Sequence, residues 1–174
     1  MNETCYLLLG TNLGDRLQHL LVARDLLNRD AGRIVRTSAI YATAPWGKEE
    51  QPEFLNQALE METDRSAGEL LAIALQIEHL LGRHRSTKWE ARVIDIDILF
   101  YGRHIIHQAN LVVPHPRLPD RRFALVPLAE LAKDWVHPVL KKTVQQLLSE
   151  TTDTLEVTPY KLKGSWPPPP ERSF

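Results

Sequence analysis

The sequence predicts an α+β fold in which two helices cover one face of an antiparallel sheet. Three observations point there: strand-like and helix-like runs follow one another in the order β-α-β-β-α-β, both helical runs carry an apolar stripe, and turn residues punctuate the junctions. That order matches the split βαβ, ferredoxin-like arrangement, which leaves the second face of the sheet for chemistry. A chain of 174 residues with 43% hydrophobic and 25% charged residues suits one core, so a single domain is expected over 1–160.

The elements are read in chain order. Tyr6 to Leu9 is an apolar run that stops at Gly10-Thr11-Asn12-Leu13-Gly14, a strand ending in a turn. From Asp15 to about Asn28, Leu17, Leu20, Leu21 and Leu27 recur at helical spacing, with Gly32 beyond the end. Ile34 to Thr43 is rich in β-branched and aromatic residues and reads as one strand, closed by Pro45. Ala44 to Pro52 is a loop. Phe54 to Thr63 alternates as a strand, with Leu55, Leu59 and Met61 on one face and Phe54, Asn56 and Ala58 on the other. Ser66-Ala67-Gly68-Glu69 has the form of a capping box and opens a second helix, which Gly82 terminates. Val93 to Tyr101 is a fourth strand. Beyond it, Ile105-Ile106 with Leu111 to Val113 suggests a hairpin, Phe123 to Ala132 and Thr143 to Glu150 suggest helices, and Leu155 to Val157 suggests an added strand. The segment 161–174 ends in GSWPPPPERSF, which favours extended polyproline II with no core to bury, and is expected to be disordered.

Composition narrows the partners. Lys+Arg of 21 against Asp+Glu of 22 leaves a formal charge of -1, without the basic excess that holds nucleic acid. No apolar run approaches the ~20 residues that span a bilayer. The single cysteine, Cys5, cannot form an internal disulfide, and a cytosolic setting is expected.

The chemistry concentrates in RVIDIDILFYG, residues 92–102, where Asp95 and Asp97 interrupt an apolar strand. Period two puts both carboxylates on one face, with Cα atoms roughly 6.6 Å apart. Two acids so close call for a cation between them, and oxygen-only ligands favour a hard ion such as Mg²⁺; the alternative is a solvated sheet face with arginine partners. Upstream, Arg83, Arg85, Lys88 and Arg92 make a cationic loop around Trp89. It reads either as a polyphosphate clamp or as an ordinary charge run, and Trp89 either as a stacking lid or as packing at the sheet edge. Downstream, His115 lies between Pro114 and Pro116 ahead of Arg117, Arg121 and Arg122, in reach of a phosphate role or a structural one. No GxxxxGK[ST] loop occurs.

Taken together, LLLGTNLGDR, YATAPWG, QPEFLNQALE, IEHLLGRHRSTKW, RVIDIDILFYG and VPHPRLPDRRFALVPL, in that order over roughly residues 5–138, resemble the 6-hydroxymethyl-7,8-dihydropterin pyrophosphokinases of folate biosynthesis. The resemblance implies pyrophosphoryl transfer from ATP to a pterin alcohol, with AMP as leaving group. It implies that Asp95 and Asp97 hold two Mg²⁺ ions, with Asp95 also near the pterin, and that Arg83 and Arg92 act with them in catalysis. Glu78, Arg85, Trp89, Ile98, His115 and Arg121 match ATP-side positions. Thr43, Trp46, Phe54, Asn56 and Phe123 match pterin-side ones, with Asn56 bonded to the ring and the two phenylalanines on either side of it. The chain departs from the family at Glu90, where a glycine is usual. A monomer is expected, without nucleic acid or membrane partners. Two rival readings predict other behaviour: an RNA-binding module, which an Asp-x-Asp face would oppose, and a phosphohydrolase, which would turn over ATP without a pterin.

Overall fold

A computed structural model describes residues 2–44, 52–82 and 93–171. The elements run β1 (Glu3–Thr11), α1 (Arg16–Asp30), β2 (Arg33–Thr37), β3 (Tyr41–Thr43), β4 (Phe54–Thr63), α2 (Ala67–Leu80), β5 (Asp95–Tyr101), the hairpin β6 (Ile106–Gln108) and β7 (Leu111–Val113), a 3-10 turn (Leu118–Asp120), α3 (Arg122–Ala132), α4 (Val144–Glu150) and β8 (Val157–Pro159). The main sheet has the order β5-β1-β4-β3-β8, with β2 also paired to β4, and every pairing is antiparallel. This is the expected ferredoxin-like βαββαβ unit, extended at one edge by β8.

Local chemistry sets the helix limits. Asp15 caps α1 by accepting the Gln18 N–H at 3.1 Å. Ser66 and Glu69 close the reciprocal box on α2, at 3.2 and 2.7 Å, and Gly82 ends the turn at φ +90°. The predicted strand over 34–43 is instead two strands, because Ser38 breaks it. Its hydroxyl accepts the Ala58 N–H at 2.9 Å and its carbonyl accepts the Gln57 amide at 2.9 Å, so a side chain takes over one rung of the ladder. The added strand falls at Val157–Pro159, two residues later than expected.

Two cores form, one on each side of the sheet. Leu7, Leu9, Leu55, Leu59, Met61 and Ile96 meet α1 and α2, and Cys5 is buried among them. On the other side Tyr6, Leu8, Ala58, Leu99 and Phe100 meet Leu125, Leu128 and Leu131 of α3 and Leu147 of α4. The second face is therefore not wholly free, as the alternation had suggested; the C-terminal helices cover half of it. A bulge makes this possible. Tyr6 opposes Phe100 while Leu7 opposes Ile98, so Leu99 is an extra residue that lets two consecutive apolar side chains enter the same core.

The tail also departs from expectation. Residues 166–170 lie along α1, and Trp166 packs on the helix-side core, so the proline-rich segment does have something to bury. Among the described residues no helix is long and apolar enough to cross a membrane.

Candidate active site

The end of the second face beyond the α3–α4 core is approached along three strands in register. Gly10 on β1 lies opposite Asn56 on β4 and opposite Asp95 on β5, and Leu8 lies opposite Ala58 and Asp97. Directly paired residues share a face, so Asn56, Gly10 and Asp95 form one row and Asp97 stands in the next. Gly10 is needed for that row: a Cβ there would meet Asn56 Oδ1 at 2.8 Å. Sequence reading treated Gly10 as part of a weak turn motif and missed its place in the site; the signal was a glycine at the end of an otherwise apolar strand.

Asn56 is buried, and its Nδ2 donates to Thr43 Oγ1 at 3.3 Å, which orients the amide. Phe54, paired with Thr43, shares the Asn56 face and is half-buried, as is Phe123 at the start of α3. The Arg121 guanidinium lies 5.6 Å above the Phe123 ring and 4.0 Å from Asp97 Oδ2. These expected site residues are brought to one end of the sheet.

His115 joins them through its backbone. Its N–H donates to the Leu99 carbonyl at 3.0 Å, which docks the loop after β7 against β5 and sets Nε2 3.8 Å from Asp97 Oδ1. The Arg117 N–H donates to His115 Nδ1 at 3.1 Å, so the proton of the neutral ring sits on Nε2. Burial above all, then the Arg121 and Arg117 charges, push this imidazole down to about 4 against the opposing pull of Asp95. At neutral pH it is an uncharged N–H donor facing the acid pair.

Two of the expected ATP-side residues have side chains engaged on the helix side of the sheet. Glu78 on α2 is buried, and its Oε1 accepts the Ile96 N–H at 2.8 Å, satisfying a donor of edge strand β5 between the two aspartates. Ile98 is in the helix-side core, because strand alternation sends it opposite to Asp97. Trp46, Arg83, Arg85, Lys88, Trp89, Glu90 and Arg92 lie outside the described residues. Asp95 and Asp97 supply hard carboxylate oxygens from adjacent same-face positions, which suits a divalent ion that completes its shell with water and phosphate.

A ferredoxin-like sheet with an acid pair, an oriented amide and flanking aromatics at one end defines a class of α+β domain with a candidate site at that end. The comparisons specify which. The family model for 7,8-dihydro-6-hydroxymethylpterin-pyrophosphokinase (HPPK) matches residues 6–133. The chain is 44% identical over 134 residues to the 2-amino-4-hydroxy-6-hydroxymethyldihydropteridine pyrophosphokinase of Bacillus subtilis, covering 76% of this chain and 80% of that protein. It is 42% identical over 146 residues to the enzyme of the same name from Methylorubrum extorquens, covering 83% and 91%. The crystal structure of wild-type Plasmodium falciparum HPPK-DHPS with pteroate superposes with a TM-score of 0.72 at 17% identity, over 86% of this chain and 44% of that one, a likeness of fold. The chain belongs to the 7,8-dihydro-6-hydroxymethylpterin-pyrophosphokinase family.

Proposed function

We propose that this chain transfers the pyrophosphoryl group of ATP to the hydroxymethyl oxygen of 6-hydroxymethyl-7,8-dihydropterin, giving the pterin diphosphate and AMP. The observation that carries the reading is the row Asn56, Gly10, Asp95: an oriented amide and a carboxylate face each other across a glycine gap at the open end of the sheet. In this reading the pterin ring lies between Phe54 and Phe123, with Asn56, Thr43 and Trp46 at its edge and its hydroxymethyl group toward Asp95.

The hydroxyl oxygen bonds to the β-phosphorus of ATP, the bond from that phosphorus to the α-bridging oxygen breaks, AMP departs, and the hydroxyl proton is released to solvent. By the family resemblance Arg83, Arg85, Arg92 and Trp89 bind the triphosphate, while Arg121 supplies a further guanidinium. His115, neutral with its proton on Nε2, donates a hydrogen bond to phosphate; it does not serve as a base. Glu78 and Ile98 act from behind, fixing the strand that carries both aspartates. Two Mg²⁺ ions held by Asp95 and Asp97 would neutralise charge on the phosphates. Most of the rate then comes from positioning and electrostatics.

We propose in addition that the enzyme works in the cytosol and as a monomer. Burial pushes the Cys5 thiol up to about 12, leaving it unreactive.

The test is to incubate the protein with Mg²⁺ and ATP, with and without the pterin, and to separate the nucleotides. AMP that forms only with the pterin is the expected result. ADP, or hydrolysis of ATP without the pterin, would replace this reading with a phosphohydrolase.

A further inference from the structure

The segment that the family match does not reach offers a second recognition site. Strand β8 runs antiparallel to β3, Tyr160 continues from it with its N–H donating to the Ile40 carbonyl at 2.8 Å, and the chain then crosses to α1. There the Arg24 guanidinium stacks on Trp166, 5.5 Å from the ring centre. Its Nη1 donates to the Pro167 carbonyl and its Nη2 to the Pro168 carbonyl at 3.2 Å. One helical turn on, Asn28 Nδ2 donates to the Pro170 carbonyl at 2.9 Å, while Asn28 Oδ1 accepts the Ile34 N–H at 3.0 Å and so locks the amide. Arg24 is only 1% exposed, which a surface helix arginine reaches only under a covering segment.

The match between the two periodicities is what makes this a site. A run of four prolines favours polyproline II, with three residues per turn and no internal hydrogen bonds; in that conformation the carbonyls of Pro167 and Pro170 stand on one side, one turn apart, with nothing in the segment to pair them. Arg24 and Asn28 are spaced i, i+4 and project from one side of α1. The longer reach of arginine makes up the difference between a helical turn of about 5.4 Å and a polyproline turn of roughly 9.3 Å. Asp25 Oδ1 accepts from Arg24 Nε and Nη2 at 2.9 and 2.8 Å and steadies the guanidinium; the three bonds to the tail all go to backbone carbonyls, so the pair reads backbone conformation, and the indole of Trp166 supplies the anchor.

We infer that α1 carries a docking site for polyproline II segments, and that its occupant is residues 166–170 of the same molecule. The site is independent of the proposed reaction, since neither Arg24 nor Trp166 is among the pterin or ATP residues.

The test follows tryptic cleavage after Lys163 by mass spectrometry, as the appearance of the fragment beginning at Gly164, in the full chain. Arg24→Ala and Trp166→Ala should each speed this cut about tenfold, the equivalent of one net hydrogen bond. Arg24→Lys, which keeps the charge but loses the fork, should fall between. Pro168→Ala should matter little, because its carbonyl remains. Trp166→Ala leaves α1 untouched, so a faster cut there cannot be ascribed to a damaged helix, and AMP formation should be unchanged in it. Equal cleavage rates in the parent, Arg24→Ala and Trp166→Ala would overturn the site. A parent that sediments as a dimer, and loses the dimer with Trp166→Ala, would overturn the same-molecule occupant in favour of a second copy.

Discussion

Along β1, two rows of one sheet face separate a packed region from a reactive one. Around Tyr6, the Phe100 ring lies edge-on at 6.4 Å and the Trp135 ring at 5.1 Å, with Phe100 fully buried under α3 and α4. Around Gly10, four residues further along the same strand, the neighbours are instead polar, Asn56 and Asp95. Both rows are carried by the same strands, β1, β4 and β5, so strand order alone does not decide which end does chemistry. Side-chain size does: large apolar residues at Tyr6, Leu99 and Phe100 give α3 a surface to bury, at about 1.5–3 kcal/mol for each, whereas a glycine between an amide and a carboxylate offers it none.

If the division is right, each end should break in its own way. The largest effect is expected for Asp97→Ala, which should lower pyrophosphoryl transfer about a thousandfold, as loss of a key electrostatic group does, with the circular dichroism spectrum unchanged. Phe100→Ala should do the reverse, costing about 3–5 kcal/mol in urea unfolding while the protein that remains folded keeps its turnover. A loss of turnover per folded molecule comparable to that of Asp97→Ala would dissolve the distinction.

Much of this was legible in the sequence, and the exceptions have physical causes. Period two on β5 put Asp95 and Asp97 on one face, and the capping box at Ser66 fixed the start of α2, because both signals are local. The break at Ser38 was hidden, since a serine inside a β-branched run shows nothing of the Ala58 N–H that it captures across the sheet. The bulge at Leu99 was hidden for the same reason, and with it the covering of half the second face. The Glu78 bond to the Ile96 N–H was hidden too, since only the fold sets a buried helix side chain beside a donor of an edge strand. The proline-rich tail looked featureless because its acceptors are carbonyls, and only the fold brings Arg24 and Asn28 to them.

Two smaller effects sharpen the comparison. Gly10→Ala would put a methyl group 2.8 Å from Asn56 Oδ1, so the pterin KM should rise about tenfold, a cost of roughly 1.4 kcal/mol, with the ATP KM nearly unchanged. Equal rises would undo the partition of the site. At the packed end, burial lowers the His137 imidazole, whose Nδ1 accepts the Val139 and Leu140 N–H groups at 3.2 and 3.0 Å. The folded chain therefore resists a proton that the unfolded chain takes up near 6.5. Stability from this group is whole above that pH and is lost as the pH falls below it toward the lower folded value. His137→Asn, which keeps an acceptor without titrating, should flatten the decline of Tm with acidity over that window; an unchanged slope would remove His137 as its source.

The central claim is that the open end passes on two phosphates together, and ATP labelled at the β-phosphorus tests it in a single turnover with the pterin. The account predicts that the label leaves with the pterin and that the nucleotide recovered is unlabelled AMP. Label retained in ADP, with only the γ-phosphate transferred or released, would contradict it.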